Sequence, residues 1–319
     1  MKKDILSLIL GCCYMGIVFV SCGNDDAIEK NDSDQVRIDV VCPEKVMNAE
    51  YKLRCILEVW TIGENSKLVS HKEIVAENDK LLFDITLFSG TYKCMMWADY
   101  IDADGTADAD GSSLIRYTDK FYDTSDLSCV TMKDVNSFVN NEECNAFFYS
   151  GEIQKDGEAL LTNLELIPAL TKISILENNL DEFSYLRKVQ ASYESFFKFN
   201  VATGTIIEEK QKVTYNESNF NPSMILDGTL FSMYMFSDDK ERRLGKLEMN
   251  LEKLISSSST KEQQVSVPDI IPLLRGQHVK VSGSMLEVTE RENEFDILFD
   301  IDVEDWKSSN VDITKINEE

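Results

Sequence analysis

Short runs in which apolar and polar residues alternate one by one, parted by turns about ten residues apart, leave this chain few folds to choose from. Leu53, Cys55, Leu57 and Val59 alternate with Arg54, Ile56, Glu58 and Trp60, and Leu81, Phe83, Ile85 and Leu87 with Leu82, Asp84, Thr86 and Phe88. The closing run, Phe295, Ile297, Phe299, Ile301 and Val303, is the strictest of all. A period of two sends successive side chains to opposite faces, so each run reads as a strand with one face on a core. Further short strands are expected at Phe147–Tyr149, Leu160–Ile167, Ile173–Ile175, Val189–Tyr193, Leu230–Phe236, Leu247–Leu251 and Val279–Val281. No long stretch keeps a 3.6-residue period, which excludes a parallel α/β sheet and predicts an all-β chain of antiparallel sandwiches.

The connections are read from their turn residues. Ser89-Gly90-Thr91 predicts a hairpin into Tyr92–Ala98, and Ser282-Gly283-Ser284 a turn towards the last strand. The acidic, glycine-containing stretch Asp102–Ser113 is expected as a long exposed loop, and Ser256–Thr260 as a solvated linker between strands. At 319 residues the chain exceeds one comfortable core. Two tandem β-sandwich domains, 36–168 and 169–319, are expected, with the junction at Pro168–Thr171.

The first residues are of another kind. Lys2 and Lys3 precede an apolar run from Ile5 to Val20, then Ser21-Cys22-Gly23, after which the chain turns polar. This reads as an export leader, residues 1–21, because about sixteen apolar residues fall short of the roughly twenty a spanning helix needs. Phe19-Val20-Ser21-Cys22 resembles a lipobox, in which the cysteine thiol is alkylated by diacylglycerol, with Phe19 where leucine is usual. Asn24, Asp25 and Asp26 are similar to the signal that sends Bacteroidota lipoproteins to the outer face of the outer membrane. Residues 22–35 then read as a flexible tether, and acyl chains on Cys22 as the partner of the membrane.

Four segments resemble the fimbrillin-like, type V pilus subunit-like lipoproteins of Bacteroidota. They are Leu53–Trp60, Gly90–Tyr100, Leu164–Ile173 and Ile271–Val279 with Gly283, and Ile167 stands where that family commonly has arginine. The resemblance implies two transthyretin-like sandwiches and, in some members, assembly into pili. There a trypsin-like protease cuts after an arginine and frees a groove for a neighbour's strand. Arg37 and Arg54 are the candidate cut sites, although as strand residues both read first as solvent-facing. The run Phe295–Val303 reads first as a core strand and second as a donor strand. The expected function is that of a surface-anchored adhesion or pilus component. A solitary glycan- or nutrient-binding lipoprotein is the alternative, with Trp60 and Trp306 as candidate glycan contacts.

Residues for catalysis are scarce. The two histidines, His71 and His278, lie far in sequence from any serine or cysteine motif, and no nucleophile elbow, zinc-protease motif or phosphate loop occurs, so no enzyme and no cofactor are expected. Asp102, Asp104, Asp108 and Asp110 invite a calcium reading but lack the spacing and closing glutamate of an EF-hand, leaving a solvated loop. A net charge of −25 excludes a phosphate-tracking groove, and with it nucleic acid. Cys55 and Cys94 read as small core hydrophobes, and Cys129 with Cys144 is the one pair worth testing for a disulfide.

Overall fold

The computed structural model describes residues 32–43, 50–77, 80–104, 107–109, 115–225, 227–286 and 297–305. The expected leader, Cys22, most of the expected tether and Trp306 lie outside these residues. Strands account for most of what is described, and the chain is all-β, as its alternation requires.

The first half comprises β1 (Gln35–Val41), β2 (Tyr51–Thr61), β3 (Leu68–Val75), β4 (Leu81–Thr86) and β5 (Gly90–Asp102), then a small hairpin of β6 (Ala107–Ala109) and β7 (Ile115–Tyr117). The short β8 (Tyr122–Asp123) and β9 (Val130–Met132) lead to β10 (Ala146–Lys155), β11 (Leu160–Glu165) and β12 (Ile167–Pro168). Two sheets result, in the orders β11-β1-β4 and β12-β10-β5-β2-β3. Val36, Ile38, Val40 and Phe83 from one, and Cys55, Leu57, Val59 and Met96 from the other, are buried in the core between them.

After Pro168 the chain enters β13 (Leu170–Glu177), and the one-turn helix α1 (Leu180–Phe183) carries it to β14 (Leu186–Phe196). Next come β15 (Lys198–Asn200), β16 (Thr205–Ile206), β17 (Lys210–Glu217), β18 (Thr229–Phe236), β19 (Leu247–Ser256), β20 (Ser259–Val267), β21 (Gln277–Gly283) and β22 (Asp300–Asp305). The second pair of sheets runs β18-β13-β21-β22 and β17-β14-β19-β20. In each half the opening strand lies parallel to a late one, β1 to β11 and β13 to β21, while the remaining strand pairs are antiparallel.

A further sheet, β16-β15-β9-β8, takes two strands from each side of Pro168. Beneath it Trp97 of β5 meets Tyr122 at 5.2 Å between ring centres and Phe199 and Phe236 at 6.2 Å each. Arg275 donates to the Gly204 carbonyl at 2.9 Å and lies over the Phe148 ring. Gly204 sits at φ +63°, and a Cβ there would lie 2.9 Å from Phe148, so the close approach requires glycine.

Several connections differ from expectation. Leu87–Ser89 is not a hairpin turn: β4 pairs with β1 and β5 with β2 and β10, so the chain crosses from one sheet to the other. Buried Leu87, whose N–H is donated to the Asp34 carbonyl, pins that crossing. The acidic stretch is no open loop throughout, because β6 and β7 pair within and beside it. Ser256–Thr260 is the tip of the β19–β20 hairpin, with Ser256 opposite Ser259. The closing run departs from the core strand expected of it. Ile297 and Phe299 pack against the core, but β22 is the outermost strand of its sheet and leaves Ile301 37% and Val303 41% exposed.

Candidate interaction surfaces

Alternation along β2 sets Arg54, Glu58 and Trp60 on the face turned away from the first core, and the register sets Asp99 opposite Arg54 and His71 opposite Glu58. The buried Arg54 guanidinium donates from Nε and Nη2 to the two oxygens of buried Asp99 at 2.9 and 2.8 Å. Its Nη2 also lies 2.8 Å from Asp119, and its Nη1 3.8 Å from Glu73 and 3.1 Å from the Tyr117 carbonyl. Burial works against this charge, but Asp99 and Asp119 more than offset it and hold the proton more firmly than usual. His71 continues the chain, 3.3 Å from Glu58 and 3.4 Å from Glu73. Hydrogen bonds to Glu58 and Glu73 outweigh burial and push its pKa up to about 9, so the ring is an imidazolium donating from both nitrogens. The other Glu58 oxygen accepts Trp60 Nε1–H at 2.9 Å. This assembly clamps the Tyr117–Asp119 segment to the sheet and is closed to solvent at its centre.

These positions bear on the candidate site residues. Arg54 is not solvent-facing: no protease reaches its bond while the sheet is intact. Arg37 is exposed on the outer face of β1 and paired to Asp84 at 2.8 Å, yet its backbone belongs to a strand flanked on both sides. Trp60 is half-buried on the outer face of β2, with its N–H spent on Glu58. Cys22 and Trp306 lie outside the described residues. Cys129 and Cys144 are not joined in a disulfide, and neither are Cys42, Cys55 and Cys94. Asp102 is paired with Lys120, and no group of metal-ligating side chains occurs among the described residues.

The second histidine has partners that sequence distance concealed. His278 Nε2 lies 2.8 Å from Ser174 Oγ, and Nδ1 lies 3.2 Å from Glu304. Burial, reinforced by Lys172 and Lys280, pushes its pKa down to about 4 and keeps the ring neutral. The order Ser-His-Glu matches a hydrolase triad, but its setting differs. Ser174 is buried in β13, a strand paired on both sides, so the amides around it are spent on ladders and form no oxyanion hole.

Several clefts open in the surface of the described residues. One, of about 550 Å³, lies beside β1 and is lined by Arg37, Asp84, Thr86, Ala159 and Leu161 among others. Another, of about 450 Å³, lies where the edge strands β17 and β18 part, with Tyr215, Phe220 and Phe231 around it. Among the described residues no helix is long and apolar enough to cross a membrane.

A family model described as a family of unknown function, DUF6562, matches residues 27–314. No curated protein matches. Among solved structures, a candidate cell adhesion protein from Bacteroides eggerthii is similar at 11% identity over 87% of this chain and 98% of that one, with a TM-score of 0.51. The tip fimbrial protein Mfa3 from Porphyromonas gingivalis, with a C-terminal truncation, is similar at 8% identity, 85% and 99% coverage and a TM-score of 0.45. A candidate polysaccharide-binding protein from Bacteroides thetaiotaomicron is similar at 12% identity, 81% and 100% coverage and a TM-score of 0.44. At 11% identity the likeness to the Bacteroides eggerthii protein is one of fold.

Proposed function

The chain belongs to the DUF6562 family, and from that footing we propose that it is a lipid-anchored surface protein of adhesion or pilus type, not an enzyme, which joins its neighbours by β-strand exchange. The supporting observation is β1. It runs between β4 and β11 and sinks Val36, Ile38 and Val40 into the core at alternate positions. Withdrawing it leaves a slot with unpaired main-chain groups on both flanks and three side-chain pockets, the shape an incoming strand fills. A matching strand is the run Ile297, Phe299, Ile301 and Val303, which alternates and, among the described residues, ends in the outermost strand of its sheet. Neither candidate arginine frees β1 in the folded state, since Arg37 lies within it and Arg54 is sealed in β2, so processing must follow local opening. The rival reading, a solitary glycan- or nutrient-binding lipoprotein, does not find its platform at Trp60.

The test compares two soluble chains, one beginning at Asp25 and one at Cys42, which lacks β1. The shorter chain is expected to form SDS-resistant ladders that vanish in the Ile301→Asp, Val303→Asp variant and are capped by a synthetic Gln35–Val41 peptide. A shorter chain that remains monomeric, or aggregates without ladders and ignores the peptide, removes the support for strand exchange.

A further inference from the structure

The cleft between β17 and β18 has the chemistry of a ligand site and no part in the features already described. Its apolar lining comes from Leu230 and Phe231 of β18 and from Phe220, all buried, with half-buried Tyr215 beside Phe231 at 5.4 Å between ring centres. Its polar lining is made by Asn140, Glu217, Asn219, Asn221 and Thr229. Asn140 donates from Nδ2 to the Tyr215 oxygen at 3.1 Å, which leaves the phenol proton free to be donated elsewhere. Glu217 accepts the Asn219 N–H through one oxygen, leaving acceptor capacity on the other. Burial, then Glu217, raises the Tyr215 pKa, so the phenol stays protonated.

The ends of the cleft decide what it can hold. At one end Asn140 caps the β18 edge, donating its N–H to the Ser232 carbonyl at 2.8 Å and accepting the Ser232 N–H at 2.7 Å. The same segment reaches β17, where Asn136 accepts the Thr214 N–H at 3.0 Å. At the other end Phe220 is tied to the Arg187 carbonyl at 2.9 Å. A strand running along β18 would collide with Val139 and Asn140, so the occupant is compact. It is also no anion, because the lining holds Glu217 and no lysine or arginine. An aromatic ring beside amide, hydroxyl and carboxylate groups suits a molecule with one apolar C–H face and a rim of hydroxyls.

We propose that the bowl formed by Tyr215, Phe231, Asn140, Glu217 and Asn219 binds one or two residues of a neutral saccharide, with Tyr215 against the sugar face and Glu217 and the amides on its hydroxyls. This supplies the adhesion reading with a ligand class and does not depend on strand exchange.

The test uses the soluble chain from Asp25 and a panel of neutral hexose and N-acetylhexosamine oligosaccharides, with sialylated and sulfated counterparts as charged controls. Saturation-transfer NMR is expected to show binding of at least one neutral member. Tyr215→Ala should weaken it about tenfold or more and Glu217→Gln about fivefold, which are typical sizes for a lost ring contact and a lost charged hydrogen bond. Tyr215→Phe, which keeps the ring packing, guards against an effect of misfolding and should cost less than Tyr215→Ala. The proposal is overturned if no neutral oligosaccharide binds, if only the charged members bind, if binding ignores all three substitutions, or if an Ile297–Glu304 peptide displaces the sugar. These outcomes leave the ladder assay untouched, so failure here and failure of strand exchange are separable.

Discussion

Arg54 shows how far one side chain can commit a sheet. Its guanidinium holds Asp99, Asp119 and Glu73, of which Asp99 is fully buried. Truncation to alanine strands that carboxylate without a counter-charge, so Arg54→Ala is expected to lose about 3–5 kcal/mol, and Arg54→Ala with Asp99→Ala distinctly less than the sum of the two single losses. Urea unfolding of the four chains checks this, and simple additivity would contradict it. His71 makes the neighbouring prediction, one of pH. Its folded pKa of about 9 lies above the ordinary 6.5. The folded state therefore binds the proton more tightly, and the contribution is whole below about pH 6.5 and fades as the pH climbs through 9. Thermal melts from pH 6 to 10 should show the midpoint falling by a few degrees more in the wild-type chain than in His71→Gln. Equal slopes would mean that Glu58 and Glu73 do not hold the charge.

At the scale of elements, legibility followed burial. Strands with one face on a core, β4 and β21, announce themselves because every second residue must be apolar. The edge strands β3, β17 and β20 do not, since Lys210-Gln211-Lys212 and Thr260-Lys261-Glu262-Gln263-Gln264 lie mostly in solvent and carry no period. Alternation also says nothing of which sheet a strand joins. Leu81–Leu87 and Tyr92–Ala98 look like two arms of a hairpin, yet they occupy opposite sheets. The last strand misled for a related reason: Ile301 and Val303 have the right period, but their place at the edge is set by topology. The same limit hid the candidate site. Asn140, Tyr215 and Phe231 come from three separate segments, and only the parting of β17 and β18 brings them round one cleft. Arg54 and Asp99 were equally invisible as a pair, 45 residues apart in the chain.

At the scale of the whole molecule, the sheet built from β8, β9, β15 and β16 ties the segment before Pro168 to the segment after it. The aromatic cluster beneath it is stocked from both sides, Trp97, Tyr122 and Phe148 from one and Phe199 and Phe236 from the other. Phe199 and Phe236 stack at 5.4 Å, and Phe148 meets Phe199 edge-on at 4.8 Å. Separating the halves would bare these rings together, and that cost couples the two unfolding equilibria. The chain from Asp25 is therefore expected to melt in one transition, with tryptophan fluorescence, far-ultraviolet circular dichroism and calorimetry coinciding. Trp97 is the test of the coupling, because it is fully buried and touches rings of both halves. Trp97→Ala removes the largest shared ring at a cost of about 3–5 kcal/mol. It should also part the single transition into two, the first reporting the half that lost the ring and the second the sheets β18-β13-β21-β22 and β17-β14-β19-β20 on their own. Two transitions already present in the wild-type chain would mean that the halves are not coupled, and a lower but still single melt in the variant would mean that the joining sheet, and not the aromatic cluster, holds them together.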